Sequence, residues 1–160
     1  MASLKDIVCY LITNYPNKSH LSNARITKMV YLADWYSANV FGKQVSTISW
    51  FFNNFGPYVE DVLNMAKDYS DFFTIKIEEN YYGMTKRIIG LKDNVNYSPE
   101  LSNQEKESLD KIIDISKRKS WDEFITLVYS TYPIVVSDRY STLDLIKLAK
   151  DYQAKKKETT

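Results

Sequence analysis

The chain has 160 residues, 44% of them hydrophobic and 26% charged, a balance that fits one globular domain and excludes a largely disordered protein. Its 21 basic and 20 acidic residues nearly cancel, which argues against a general nucleic-acid binder, because such proteins carry a basic excess. No apolar run reaches the roughly 18 residues of a membrane helix, and the first residues lack the pattern of a secretory signal. We therefore expect a cytoplasmic protein with no membrane partner.

Helical spacing dominates the first quarter of the chain. Ser3 is a predicted N-cap, and the apolar residues that follow it make one stripe. Ser22 or Asn23 begins a second predicted helix, which runs to about Phe41 and ends at Gly42. This second helix is apolar nearly all round, so we expect it to be the central helix of the fold, buried on both sides.

The segment 49–62, SWFFNNFGPYVEDV, places five aromatic residues among turn-forming residues. Gly56 and Pro57 are the turn signal, and we expect them to shape a bend before a helix resumes near Tyr58. Aromatic rings crowd a segment that must bend, so either the bend is buried or a partner covers it. We expect about half of the rings to lie in the core and half to line a groove.

The second half of the chain predicts a hairpin followed by helices. Apolar residues alternate with polar ones over 72–91, which is typical of a β-hairpin, with ENYYG as its turn. Two capping boxes, which start at Ser102 and Ser120, predict two further helices, and Pro133 is expected to end the second. A final amphipathic helix then leads to a basic tail.

The predicted fold is mainly α with a small antiparallel β-hairpin. We expect a single compact domain of about six helices over residues 1–153, packed around the buried central helix, with 154–160 as a flexible basic tail.

Residues that carry catalysis or bind cofactors are sparse, so we expect no enzyme activity and no cofactor. Cys9 and His20 are the only Cys and His, too few for a zinc site, and we expect Cys9 in the core and His20 in solvent. The four glycines are scattered and form no phosphate-binding loop. Neighbouring acids such as Glu78 and Glu79 point apart in a strand and make a poor acid–base pair.

A protein-binding surface is the remaining prediction. Interface hot spots favour Trp and Tyr in well-packed patches, and Asn side chains beside them supply orienting hydrogen bonds. The predicted partner-binding residues lie at the end of the central helix and along the bend, with a second group at the hairpin tip: Tyr36, Trp50, Phe52, Asn53, Asn54 and Tyr58, then Tyr81 and Tyr82.

Residues 26–68 resemble the Panacea antitoxin domain, the SocA-like family. The shared parts are a helix with TKMVYLAD, an aromatic helix end with FGK, and the sequence FGPY before another helix. The later segments LVYSTYPI and LDLIKLA are similar to the C-terminal helices of the family. Many members carry a His in the region VYSTYP; here Thr131 or a neighbour stands instead, so no role of that His is transferred.

The resemblance implies a cytoplasmic antitoxin of bacterial or phage origin that neutralises a protein toxin by direct binding. Toxins of the family include enzymes that modify nucleotides or tRNA and toxins that stop replication. One member type resembles an adaptor that delivers its toxin to a protease. A nucleic-acid-binding regulator is a third hypothesis, in which Lys117, Arg118, Lys119 and the basic tail contact phosphates, but the near-neutral charge disfavours it.

Overall fold

The computed structural model describes residues 1–79 and 82–158, and it confirms a mainly α-helical fold with small antiparallel sheets. The α-helices are α1 (Leu4–Asn14), α2 (Asn23–Phe41), α3 (Asp61–Asp68), α4 (Asn103–Ser116), α5 (Trp121–Tyr129), α6 (Tyr132–Val136) and α7 (Leu145–Glu158). The strands are β1 (Trp50–Asn53), β2 (Gly56–Pro57), β3 (Phe73–Glu79), β4 (Thr85–Leu91) and β5 (Thr142–Leu143). A short 3₁₀ turn spans Lys18–His20.

Helix α2 is the central helix, as its sequence predicts. The Ser22 hydroxyl caps it by accepting a hydrogen bond from the Arg25 amide at 3.1 Å. Thirteen of its 19 residues are buried, so packing surrounds it on nearly every side. It ends at Gly42, whose φ of 73° is a left-handed conformation that glycine adopts without steric cost. Helices α1, α3, α4 and α7 pack around it.

The strands form two separate antiparallel sheets. In the first, β1 lies between β2 and β5, with Phe52 paired to Pro57 and Trp50 paired to Leu143. The second is the predicted hairpin, in which β3 pairs with β4 along its whole length, from Phe73 opposite Leu91 onward. The first sheet therefore joins the middle of the chain to the segment that precedes α7.

The two predicted capping boxes are confirmed. The Ser102 and Ser120 hydroxyls accept hydrogen bonds from the amides of Glu105 and Glu123, and the two glutamates bond back to the serine amides. Among residues 1–79 and 82–158, no helix combines the length and the apolar character needed to cross a bilayer.

Three segments differ from the sequence predictions. Pro133 does not end α5, which stops at Tyr129; it lies in the first turn of α6, where its missing N–H costs no hydrogen bond. Residues 154–158, expected to belong to a flexible tail, continue α7 as helix. The bend itself lies at Asn54 and Phe55, and Gly56 with Pro57 forms the returning strand β2.

Candidate functional site

Strands β1 and β2 form a tight hairpin whose tip carries an exposed aromatic ring. Asn53 pairs with Gly56, so only Asn54 and Phe55 connect the strands. Gly56 has φ of 93°, which lets the chain turn back sharply, and the ring of Tyr129 lies against its backbone. Phe55 is 78% exposed at the tip. A large apolar side chain is thereby fixed on the surface by a short, constrained turn.

Trp50 anchors the base of this hairpin in the core. Its ring has no exposed area, and its indole Nε1 donates a hydrogen bond to Asp34 Oδ2 at 2.8 Å. The ring also meets the edge of Tyr31 with centroids 5.5 Å apart. Both partners lie on α2, so the hairpin is fastened directly to the central helix.

Asp34 is the hydrogen-bonding centre of this region. Its buried carboxylate accepts hydrogen bonds from the amides of Val45 and Ser46, both at 2.8 Å, and from the Ser46 hydroxyl at 2.5 Å. The Gln44 side chain and Trp50 complete the set. Burial raises the pKa of Asp34 to about 6, although each of these bonds except that from Gln44 acts in the opposite direction. One side chain of α2 thus fixes the loop that leads into β1.

The segment before β5 supports the hairpin from its other edge. The Phe52 amide donates to the carbonyl of Ser141 at 2.9 Å, and the Tyr140 amide donates to the carbonyl of Phe52 at 2.6 Å. Tyr140 has φ of 65°, a strained conformation for a bulky residue, and its ring is 61% exposed. Its hydroxyl donates to the side-chain oxygen of Asn54. Two exposed rings, Phe55 and Tyr140, therefore flank Asn54.

A depression of about 310 Å³ lies beside the hairpin tip, between it and the start of α2. We call it the Lys28 pocket; its lining residues are Ala24, Lys28, Asn53, Asn54, Phe55 and Tyr58. Lys28 is only 3% exposed, and its Nζ lies 5.6 Å from the centre of the Tyr58 ring. Burial lowers the pKa of Lys28 to about 8.

Tyr58 forms the wall of this pocket opposite the hairpin tip. Its hydroxyl accepts a hydrogen bond from Asn23 Nδ2 at 2.9 Å, which ties it to the start of α2. Its backbone amide donates to the carbonyl of Phe51 at 3.0 Å. Burial raises the pKa of the Tyr58 hydroxyl, and the nearby charges of Glu60 and Arg87 act on that pKa in opposite directions.

The structure brings together only part of the predicted partner-binding set. Asn53, Asn54 and Tyr58 meet at the Lys28 pocket, whereas Trp50 and Phe52 of β1 are buried in the core. Tyr36 and Tyr82, also predicted, lie away from this pocket and away from each other.

Tyr36 lines a separate, open depression of about 450 Å³ along α4, with its hydroxyl 3.5 Å from Glu107. It is two helical turns, or about 12 Å, beyond Lys28 on α2. Tyr82 is 86% exposed next to the turn between β3 and β4. Tyr81 lies outside the residues that the structure describes.

Three residues of the site were missed by the predicted set. Lys28 is one of three charged residues in a largely apolar helix, with Arg25 and Asp34, and these breaks in the pattern were a usable signal. Phe55 belongs to the aromatic bend, but only the two-residue turn shows that its ring is outside the core. Tyr140 carried no local signal, since it reaches the hairpin from 86 positions along the chain.

Groups typical of catalysis are not assembled at this site. Cys9 is buried in α1, and burial raises the pKa of its thiol, while His20 is exposed beside Asn17. In residues 1–79 and 82–158, no cluster of His, Cys, Asp and Glu side chains is arranged to hold a metal ion. Thr131 precedes α6, and its hydroxyl lies 2.8 Å from that of Tyr31.

Comparison with known proteins gives one result that bears on identity. No curated protein and no solved structure matches the chain. The family model described as the antitoxin SocA-like Panacea domain matches residues 26–133, about two thirds of the chain. This match includes α2 from Ile26 onward, the Asp34 network, the β1–β2 hairpin and the helices through α5. The chain therefore belongs to the antitoxin SocA-like Panacea domain family.

Proposed function

We propose that this protein is the antitoxin of a toxin–antitoxin pair and neutralises a cognate protein toxin by direct binding. The contact surface is the hairpin patch, which we define as Asn53, Asn54, Phe55, Tyr58 and Tyr140. Bound there, the domain covers the active or substrate-binding surface of the toxin, and no bond is made or broken. Family membership supports the antitoxin role. Toxins of the family that the sequence resembles include enzymes that modify nucleotides or tRNA, and such an enzyme in the cytoplasm is one candidate partner.

The observation that carries this proposal is the exposure of Phe55 on a rigid support. The ring of Phe55 is 78% exposed, so most of its apolar surface is in contact with water, which is unfavourable in free energy. A partner that covers the ring removes this unfavourable contact. The hairpin beneath it is held by Trp50, by Asp34 and by the Ser141 carbonyl. A rigid, pre-positioned aromatic anchor loses little conformational entropy on binding, which is the property of an interface hot spot.

The polar part of the patch supports recognition in a definite orientation. Asn53 Oδ1 accepts a hydrogen bond from the Asn54 amide at 2.9 Å, and Asn54 Oδ1 accepts one from Tyr140. These bonds fix both side-chain oxygens, and within residues 1–79 and 82–158 neither NH₂ group has an acceptor. Aromatic rings flanked by oriented amides are typical of protein interfaces.

Growth rescue tests the proposal. The protein is co-expressed with the toxin encoded by the neighbouring gene, and we expect the wild type to restore growth. Phe55→Ala together with Tyr140→Ala should abolish rescue, because the two exposed rings are the anchors of the patch. Both side chains are exposed, so thermal melting of the double variant should stay cooperative.

Val40→Ala is the matched control. Val40 is an exposed apolar residue of α2 outside the hairpin patch, so its truncation should leave rescue intact. Full rescue by the double variant would show that the toxin contacts a surface other than the hairpin patch. A wild type that forms no complex with the toxin and gives no rescue would contradict the antitoxin role itself.

A protease adaptor is the second candidate function, and an exposed apolar surface on the other hairpin favours it. Ile77, Tyr82 and Met84 are all more than half exposed on or next to β3 and β4, away from the hairpin patch. An adaptor needs two surfaces, one for the toxin and one for the protease. In a pulse-chase, a shorter toxin lifetime in the presence of this protein indicates delivery, and an unchanged lifetime indicates sequestration.

A further inference from the structure

Lys28 has a buried side chain that lines the pocket, and its charge has no ion-pair partner among residues 1–79 and 82–158. Its side chain is 3% exposed, and its neighbour is the face of the Tyr58 ring. Among residues 1–79 and 82–158, no carboxylate forms an ion pair with its Nζ and no acceptor forms a hydrogen bond with it. Buried charges in proteins are normally paired, because removing an ammonium group from water is costly. A lysine with a buried stem that lines an open pocket is therefore suited to pair with an anionic group that enters it.

The hydrogen-bond donors around the pocket fit the same conclusion. The side-chain oxygens of Asn53 and Asn54 already accept hydrogen bonds within the protein, so their Nδ2 groups remain as donors. Within the described part of the chain, neither Nδ2 group has an acceptor. Both amides line the pocket together with Lys28. One lysine and two asparagine amides thus line the same pocket.

We propose that the Lys28 pocket receives the carboxylate of a Glu or Asp side chain of the toxin, with Lys28 as its ion-pair partner and Asn53 and Asn54 as its hydrogen-bond donors. This inference rests on the proposed antitoxin function and names the group that the partner supplies. The residue next to this acidic side chain packs on Phe55, which borders the pocket and projects from it.

A carboxylate fits the pocket better than a phosphate group does. Lys28 supplies a single positive charge, which one carboxylate neutralises, whereas a phosphate dianion leaves a negative charge uncompensated near Glu60. Arg87 and Glu60, which both act on Tyr58, carry opposite charges and add no net charge to this wall. The volume of about 310 Å³ is at the small end of ligand pockets and suits a side chain better than a nucleotide.

The pocket is tested directly by nuclear magnetic resonance with three probes. These are N-acetyl-glutamate N-methylamide, its glutamine counterpart, and inorganic phosphate, each titrated into the wild-type protein and into Lys28→Met. We expect the glutamate probe alone to shift the Lys28 side-chain resonances and the NH₂ resonances of Asn53 and Asn54, and to have no effect on Lys28→Met. Stronger shifts with phosphate, equal shifts with the glutamine probe, or no shifts at all would overturn the inference.

The second arm measures toxin affinity. Lys28→Met should weaken binding of the neighbouring gene's toxin by roughly 30-fold or more, the usual effect of removing one partner from a desolvated charge pair. Lys67→Met, at an exposed lysine of α3, is the control and should bind as the wild type does. A toxin variant in which the acidic residue is replaced by its amide should bind the wild type more weakly. The same toxin variant should bind Lys28→Met as well as the unmodified toxin does, because the ion pair is already lost.

The outcomes separate the two proposals. If the wild type and Lys28→Met bind the toxin equally, the pocket assignment is wrong and the antitoxin role stands. If the wild type binds no toxin but responds to the glutamate probe, the pocket is a carboxylate site, and both the antitoxin role and the toxin as the source of the carboxylate are wrong.

Discussion

Lys28→Met should make the protein more stable at neutral pH. Burial lowers the pKa of Lys28 from 10.5 to about 8. At 1.36 kcal/mol for each pKa unit, keeping this group charged in the folded state costs about 3 kcal/mol. Methionine has a similar length and no charge, so the variant keeps the packing of the stem and removes the cost. For a domain of this size, a gain of about 3 kcal/mol raises Tm by roughly 6–12 °C.

The pH dependence identifies the cause of this gain. Folded Lys28 loses its proton near pH 8, whereas the unfolded chain keeps it until about pH 10.5. Between these values the unfolded state binds more protons, so the wild type gains stability from this group as pH rises. The advantage of Lys28→Met should therefore be complete below about pH 8 and shrink towards pH 10.5.

Urea unfolding of both proteins at pH 7 and at pH 10 measures this difference, because other titrating groups are common to the pair. Lys67→Met is the control; its side chain is exposed, and its effect should stay within about 0.5 kcal/mol at both pH values. A Lys28→Met protein that is less stable than the wild type at pH 7 would refute the reasoning. So would a difference that does not change with pH.

The remaining predictions concern the support of the hairpin. Asp34→Ala removes the acceptor of five hydrogen bonds and should cost about 3–5 kcal/mol in urea unfolding; a loss below about 1 kcal/mol would show that this network contributes little. Trp50→Ala removes a fully buried ring and should also lower the free energy of unfolding by about 3–5 kcal/mol. If the variant is as stable as the wild type and loses only toxin binding, Trp50 is part of the contact surface. Gly56→Ala should cost about 1 kcal/mol or more, because alanine resists a φ of 93°. Gly42→Ala, at a second glycine with positive φ and outside the hairpin patch, should cost a comparable amount without weakening toxin binding.

Local patterns predicted the helices well because each signal acts over a few residues. The caps at Ser22, Ser102 and Ser120 bond to amides three positions away, so sequence and structure report the same contact. The same limit explains the errors. Pro133 stops a helix when it lies in the interior but starts one when it lies in the first turn, and the local sequence does not separate these cases.

The candidate site was less predictable because distant residues build it. Trp50 and Phe55 look equivalent in the sequence, yet the bond from Trp50 to Asp34 buries one ring and the two-residue turn exposes the other. Tyr140 reaches the hairpin only through the pairing of β1 with β5. An aromatic-rich bend therefore indicated the correct region, but assigning its rings to core or surface required the fold.

Calorimetric titration of the purified toxin, encoded by the neighbouring gene, into this protein is the most direct test of the hairpin patch as the toxin-binding surface. We expect a stable complex with the wild type and an affinity at least about 100-fold lower for the Phe55→Ala and Tyr140→Ala double variant, since each ring is an exposed anchor. Equal affinities for the two proteins, or no complex with the wild type, would contradict the account.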